Sequence, residues 1–135
     1  MSLHLSQKNI SVFDDSYNAN PTSMQAGIYS FIKDTQGKRR IAVLGDMLEL
    51  GVNSPFWHRQ LGRFLRKVPS LKHLILVGDM VKWTYKTVPV GITVDVVPTW
   101  KEAVSKLEDK LGQESVVLVK GSRGLALENL VQKFT

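Results

Sequence analysis

Five short runs rich in Val, Ile and Leu constrain the fold of this chain more than any other feature. They occupy residues 10–13, 40–44, 73–77, 92–97 and 116–119, and each precedes a stretch with helical spacing. The runs show little polar–apolar alternation, which marks strands covered on both faces rather than one. Between them, residues 21–32 place Met24, Ile28, Phe31 and Ile32 on one helical stripe, with Pro21 in the first turn and Asn20 as its cap. Residues 55–67 predict a second helix, started by Ser54 and Pro55, with Phe56, Leu61, Phe64, Leu65 and Val68 inward. A short helix is expected over 80–87. Another runs over 100–111, capped by Thr99, with Ala103, Val104 and Leu107 inward, and a last one over 124–133. Five βα repeats of this kind predict an α/β fold: a mostly parallel sheet with helices on both faces, forming three layers. One domain is expected over 10–135, with residues 1–9 set aside as a tag or the end of an interdomain linker.

Composition narrows the class. The 135 residues contain no cysteine, which excludes disulfides and thiolate metal sites and fits a reducing, cytoplasmic setting. No apolar run approaches the roughly 20 residues that span a bilayer, and the amino terminus lacks a signal peptide's apolar core. The net charge of +6 favours an anionic ligand such as a nucleotide or phosphate. Basic residues form no long block, the densest group being Lys38–Arg40, so nucleic acid is not expected as a partner, and with no spanning run a membrane is not expected either.

In open α/β sheets ligands bind outside the carboxyl ends of the strands. Four polar clusters fall there: DDSYNANP after the first run, GDMLELG after the second, GDM after the third and KGSRG after the fifth. Capping and turn formation explain part of the first cluster, because Asp, Ser and Asn side chains satisfy turn backbone. KGSRG sets a lysine, a serine and an arginine among glycines at a strand-to-helix junction, which suits a carboxylate or phosphate. There is no GxxxxGK[ST] and no GxGxxG, so the chain is not expected to hold a triphosphate by itself. His4 and His73 have no neighbours that suggest a metal site, and His58, inside a helix, reads as structural on spacing alone.

DDSYNANPTSM, VLGDMLELG, the histidine of Phe56-Trp57-His58 and VLVKGSRG occur here in the order found in the C-terminal domain of the Mur ligase family, which the chain resembles from about residue 10 to residue 131. The resemblance implies a Rossmann-like domain from a three-domain ATP-dependent amide ligase of peptidoglycan synthesis. ATP and Mg2+ would be held mainly by a central domain absent from this chain, and a further domain would bind the UDP-sugar. The implied reaction joins D-alanyl-D-alanine to UDP-N-acetylmuramoyl-tripeptide through an acyl phosphate, and this chain alone is expected to be inactive. On the same resemblance Asp15 would contact the ribose, with Tyr17, Asn18 and Asn20 lining the nucleotide. Lys120, Gly121, Ser122 and Arg123, together with Asp46 and Glu49, would serve the dipeptide and the transferring phosphate. Lys120, Arg123 and His58 would support catalysis, and no metal ligand is expected.

A second reading is a phosphoacceptor receiver domain, also (βα)5, in which Asp14, Asp15, Asp79 and Lys120 would form an acidic Mg2+-binding pocket. Against it, Asp79 lies beyond Gly78 rather than at the strand end, and YNANP and KGSR would have no work in such a domain.

Overall fold

A computed structural model describes residues 2–5, 11–15, 19–35, 37–112 and 114–135. The strands are β1 (Ser2–Leu5), β2 (Ser11–Asp15), β3 (Arg39–Gly45), β4 (His73–Val77), β5 (Thr93–Val97) and β6 (Ser115–Lys120). The helices are α1 (Pro21–Asp34), α2 (Ser54–Phe64), α3 (Val81–Tyr85), α4 (Trp100–Lys110) and α5 (Glu128–Lys133). One sheet has the order β1-β2-β6-β3-β4-β5. β2, β6, β3, β4 and β5 run parallel, and β1 adds to the edge antiparallel to β2.

The expected (βα)5 architecture is therefore present, with one strand more than the sequence reading placed. Ser2–Leu5 is too short and too close to the chain end to show a period. It is a strand because β2 offers an unpaired edge.

β3, β4 and β6 form the centre of the sheet, and their apolar runs are buried on both sides. On one face Ala42, Leu44, Leu74, Leu76 and Leu118 meet α1, α2 and α3. On the other, Ile41, Val43, Ile75, Val77, Val117 and Val119 meet α4 and α5. Successive strand residues point to opposite faces, so an unbroken apolar run is what two helical layers require.

One detail of α2 differs from expectation. Phe56 is exposed, and His58 takes the buried position two residues on. Ser54, His58, Leu61 and Leu65 follow helical spacing on the inner face, whereas Phe56 is turned by about 200° from His58 and points outward.

Candidate functional site

The parallel strands end on one edge of the sheet, and the described residues of the four polar clusters lie there. β2 and β6 run in register with Asp15 opposite Lys120. Lys120 Nζ lies 2.7 Å from Asp15 Oδ2; the lysine side chain is almost wholly buried, and the carboxylate is 29% exposed. α1 crosses the pair at Gly27. A Cβ there would lie 3.1 Å from Lys120 Cδ and 3.3 Å from Asp15 Oδ2. The charged pair thus sits beneath a glycine, with part of one carboxylate open to the edge.

α1 begins at this edge with a capping box. Asn20 Oδ1 accepts from the Ser23 N–H at 2.9 Å, and the Asn20 N–H donates to Ser23 Oγ at 3.0 Å. The expected cap is therefore present. Tyr17 and Asn18 lie outside the described residues.

The loops after β3 and β6 are fastened to each other. Gly45 and Gly121 approach backbone to backbone, and a Cβ on Gly121 would come within 3.0 Å of Gly45 Cα. The Ser122 N–H donates to the Asp46 carbonyl at 3.0 Å. Ser122 Oγ accepts from the Leu48 N–H at 2.8 Å. Each loop thereby satisfies backbone groups of the other, as buried polar groups require.

Asp46 also organises the neighbouring loop. Its carboxylate accepts from the N–H groups of Asp79 and Val81, each at 3.0 Å, at the start of α3. Gly78 (φ +124°) leaves room for that carboxylate, which a Cβ would meet at 2.4 Å. The two GDM triplets are thus partners with different roles, Asp46 buried and Asp79 exposed.

His58 fastens the same loop from below. Its Nε2 accepts from the Met47 N–H at 3.0 Å, so the ring proton is on Nδ1, which donates to the Ser54 carbonyl at 2.8 Å. Both nitrogens are engaged and the side chain is fully buried. Sequence reading did not foresee the fasteners Gly27, Gly78 and Ser54. The Ser54–His58 spacing of one helical turn was a usable signal.

The predicted site residues therefore separate into two sets. Asp46, His58, Lys120, Gly121 and Ser122 are buried and shape the edge. Asn20, Glu49 and Arg123 are exposed on it, with Asp15 between the sets. Glu49 is held at φ +63°, a left-handed conformation that turns the chain sharply before Gly51. Arg123 is exposed at the end of this rim.

The arrangement does not assemble an acidic receiver pocket. β6 and β3 lie between β2 and β4, which puts Asp79 roughly 14 Å from Asp15 at the usual strand spacing. Asp79 instead faces Lys82 at 3.8 Å. Among the described residues no group of three or more His, Asp or Glu could hold a metal ion.

The family described as "Mur ligase, glutamate ligase domain" matches residues 1–123. The chain belongs to the Mur ligase family. It is 31% identical over 127 residues to the UDP-N-acetylmuramoyl-tripeptide–D-alanyl-D-alanine ligase of Rickettsia prowazekii, covering 94% of this chain and 28% of that protein. It is 32% identical over 127 residues to the ligase of the same name from Escherichia coli, covering 93% of this chain and 27% of that protein. Among solved structures, MurF from Acinetobacter baumannii superposes with a TM-score of 0.85 at 30% identity, over 98% of this chain and 29% of that one. The fold is also that of MurF ligase from Thermotoga maritima in complex with ADP, with a TM-score of 0.79 at 24% identity over 98% and 29% of the two chains. This Mur ligase chain spans just over a quarter of the length of the relatives it matches.

Proposed function

We propose that this chain is the C-terminal domain of a ligase that joins D-alanyl-D-alanine to UDP-N-acetylmuramoyl-tripeptide at the expense of ATP. The observation that carries the reading is the identity of 31–32%, over more than nine tenths of the chain, to ligases of that name. The four polar clusters on one sheet edge are consistent with it.

In the proposed reaction the tripeptide carboxylate takes the γ-phosphoryl group of ATP, giving an acyl phosphate and ADP. The dipeptide amine then attacks the acyl carbon, phosphate leaves with its electron pair, and the amine gives up a proton. Little covalent chemistry falls to this domain; positioning and charge stabilisation are its contribution.

The partly exposed Asp15 carboxylate suits ribose hydroxyl donors. Lys120 acts through Asp15, because its ammonium is directed at that carboxylate rather than at the open edge. Arg123 suits the dipeptide carboxylate or the departing phosphate. Asn20, with Tyr17 and Asn18, would line the nucleotide. Asp46, His58, Gly121 and Ser122 position the rim that carries Glu49 and Arg123. Closure of the domain over nucleotide held by a central domain would complete the site.

The test is ADP release by this chain joined to its preceding domains. Release that requires UDP-N-acetylmuramoyl-tripeptide and D-alanyl-D-alanine together supports the reading. Release driven instead by a free amino acid would assign a different Mur ligase activity. The 135 residues alone should show no turnover, and ATP-dependent ligation by them would refute that part.

A further inference from the structure

Seven of the eighteen Lys and Arg residues lie between residues 54 and 94, where Asp79 is the only acid; the rest of the chain holds eleven bases and eleven acids. The whole net charge of +6 therefore belongs to one stretch. Along the sequence these bases stand singly or in pairs, which is why no block was visible. The fold gathers them, because α2 and α3 lie together on one face of the sheet.

Two features organise this face. Trp83 on α3 collects three cations around its ring: Lys86 Nζ at 4.5 Å, Arg59 Cζ at 5.4 Å and Lys82 Nζ at 5.9 Å from the centroid. Like charges repel at such spacing, so the ring offsets part of that repulsion. Beyond the end of α3, Arg66, Lys72, Pro69, Pro89 and Val90 line a cleft of about 320 Å³ with no carboxylate among the described residues of its walls. Val90, at the tip of the 88–92 loop, is fully exposed and shares the cleft with two cations, Arg66 and Lys72, and with apolar Leu65, Pro69, Pro89 and Ile92. The cleft lies where the chain enters β4 and β5, at the opposite end of the sheet from Asp15 and Lys120.

We infer that the α2–α3 face is a docking surface for an anionic lipid bilayer, with the 88–92 loop entering the interface. An exposed aliphatic tip beside two cations, on a face that also carries Arg59, Lys82 and Lys86, matches the two forces that hold a protein on such a surface: burial of apolar side chains and attraction to acidic headgroups. Nucleic acid would use the cations but not Val90, and Trp83 has its ring neighbourhood filled by cations rather than free to stack on a base. No helix among the described residues is long and apolar enough to cross a membrane, so the contact is peripheral. The inference is independent of which reaction the family member performs.

The test is co-sedimentation of the 135-residue chain with phosphatidylcholine vesicles and with vesicles also holding about 30% phosphatidylglycerol. Binding should require the anionic lipid and vanish near 0.5 M salt, a concentration at which roughly nanometre-range attraction is screened. Replacing Arg66 and Lys72 with Gln should weaken binding about 25-fold, from about fivefold per charge. Val90→Asp, at a fully exposed position, should weaken it roughly tenfold with an unchanged melting temperature. Absence of binding to the anionic vesicles overturns the inference. So does binding that survives both substitutions. Tighter binding to single-stranded RNA or to a poly-glutamate peptide, insensitive to Val90→Asp, would overturn it in favour of those partners.

Discussion

Asp15 and Lys120 stand 105 residues apart in sequence yet are direct register partners on neighbouring parallel strands, and their charged atoms close to 2.7 Å. The two ends of the pair differ. The lysine side chain is 2% exposed and the carboxylate 29%. Water can still solvate the acid if its partner is lost, whereas the ammonium has little access to water.

The asymmetry predicts unequal costs. Asp15→Asn removes a charged partner of a buried ammonium and should destabilise the fold by about 3 kcal/mol, the scale for breaking a buried pair. Lys120→Met keeps the stem volume and leaves a partly solvated carboxylate, so it should be milder, about 1–2 kcal/mol. Urea unfolding of both variants measures this. Equal losses, or a larger loss for Lys120→Met, would contradict it.

Asn20 is expected to have two roles, which substitution can separate. Asn20→Asp keeps an oxygen for the Ser23 N–H, and Asn20→Ala removes it at a cost of about 1 kcal/mol. Both lose the side-chain amide. In the full ligase both variants should raise the KM for ATP, while only the alanine should lower the unfolding midpoint. An unchanged KM in both would leave Asn20 as a cap alone.

A distinct pH effect comes from His73, at the amino end of β4. Its Nδ1 is buried with no hydrogen-bond partner among the described residues, and burial, then Arg39 and Lys110 nearby, hold its pKa below the ordinary value of 6.5. The unfolded chain therefore binds more protons just below that pH. The contribution is fully present above 6.5 and is lost as the pH falls from 6.5 through the lowered folded value. His73→Gln should lose less stability than the parent chain between about pH 7 and pH 5, read as urea midpoints. Parallel declines in the two proteins would contradict this.

How far the sequence foretold the molecule depends on the range of the interaction. Local patterns were legible: the apolar run at residues 73–77 is β4 as it stands, and Asn20 before Pro21 is the cap of α1. Helical phase was less so, because the size of Phe56 suggested core while the spacing gave the inner position to His58. Contacts that depend on strand order were not legible. Asp15 and Lys120 come together in the sequence only under the receiver reading, which wrongly sets Asp79 beside them, and Gly27 carries no signal of its place until α1 is seen crossing the pair. Likewise nothing in the two GDM triplets announces their relation, the hydrogen bonding of Asp46 to the backbone of Asp79. The basic surface of α2 and α3 was hidden for the same reason.

The central claim is that this sheet edge receives the incoming dipeptide, and the most direct measurement is the steady-state kinetics of the full ligase carrying Arg123→Ala. A charge-assisted contact of this kind contributes about 1.5–3 kcal/mol, so kcat/KM for D-alanyl-D-alanine should fall roughly 10- to 150-fold with the KM for UDP-N-acetylmuramoyl-tripeptide unchanged. Wild-type kcat and KM for the dipeptide would contradict the account and remove Arg123 from the site.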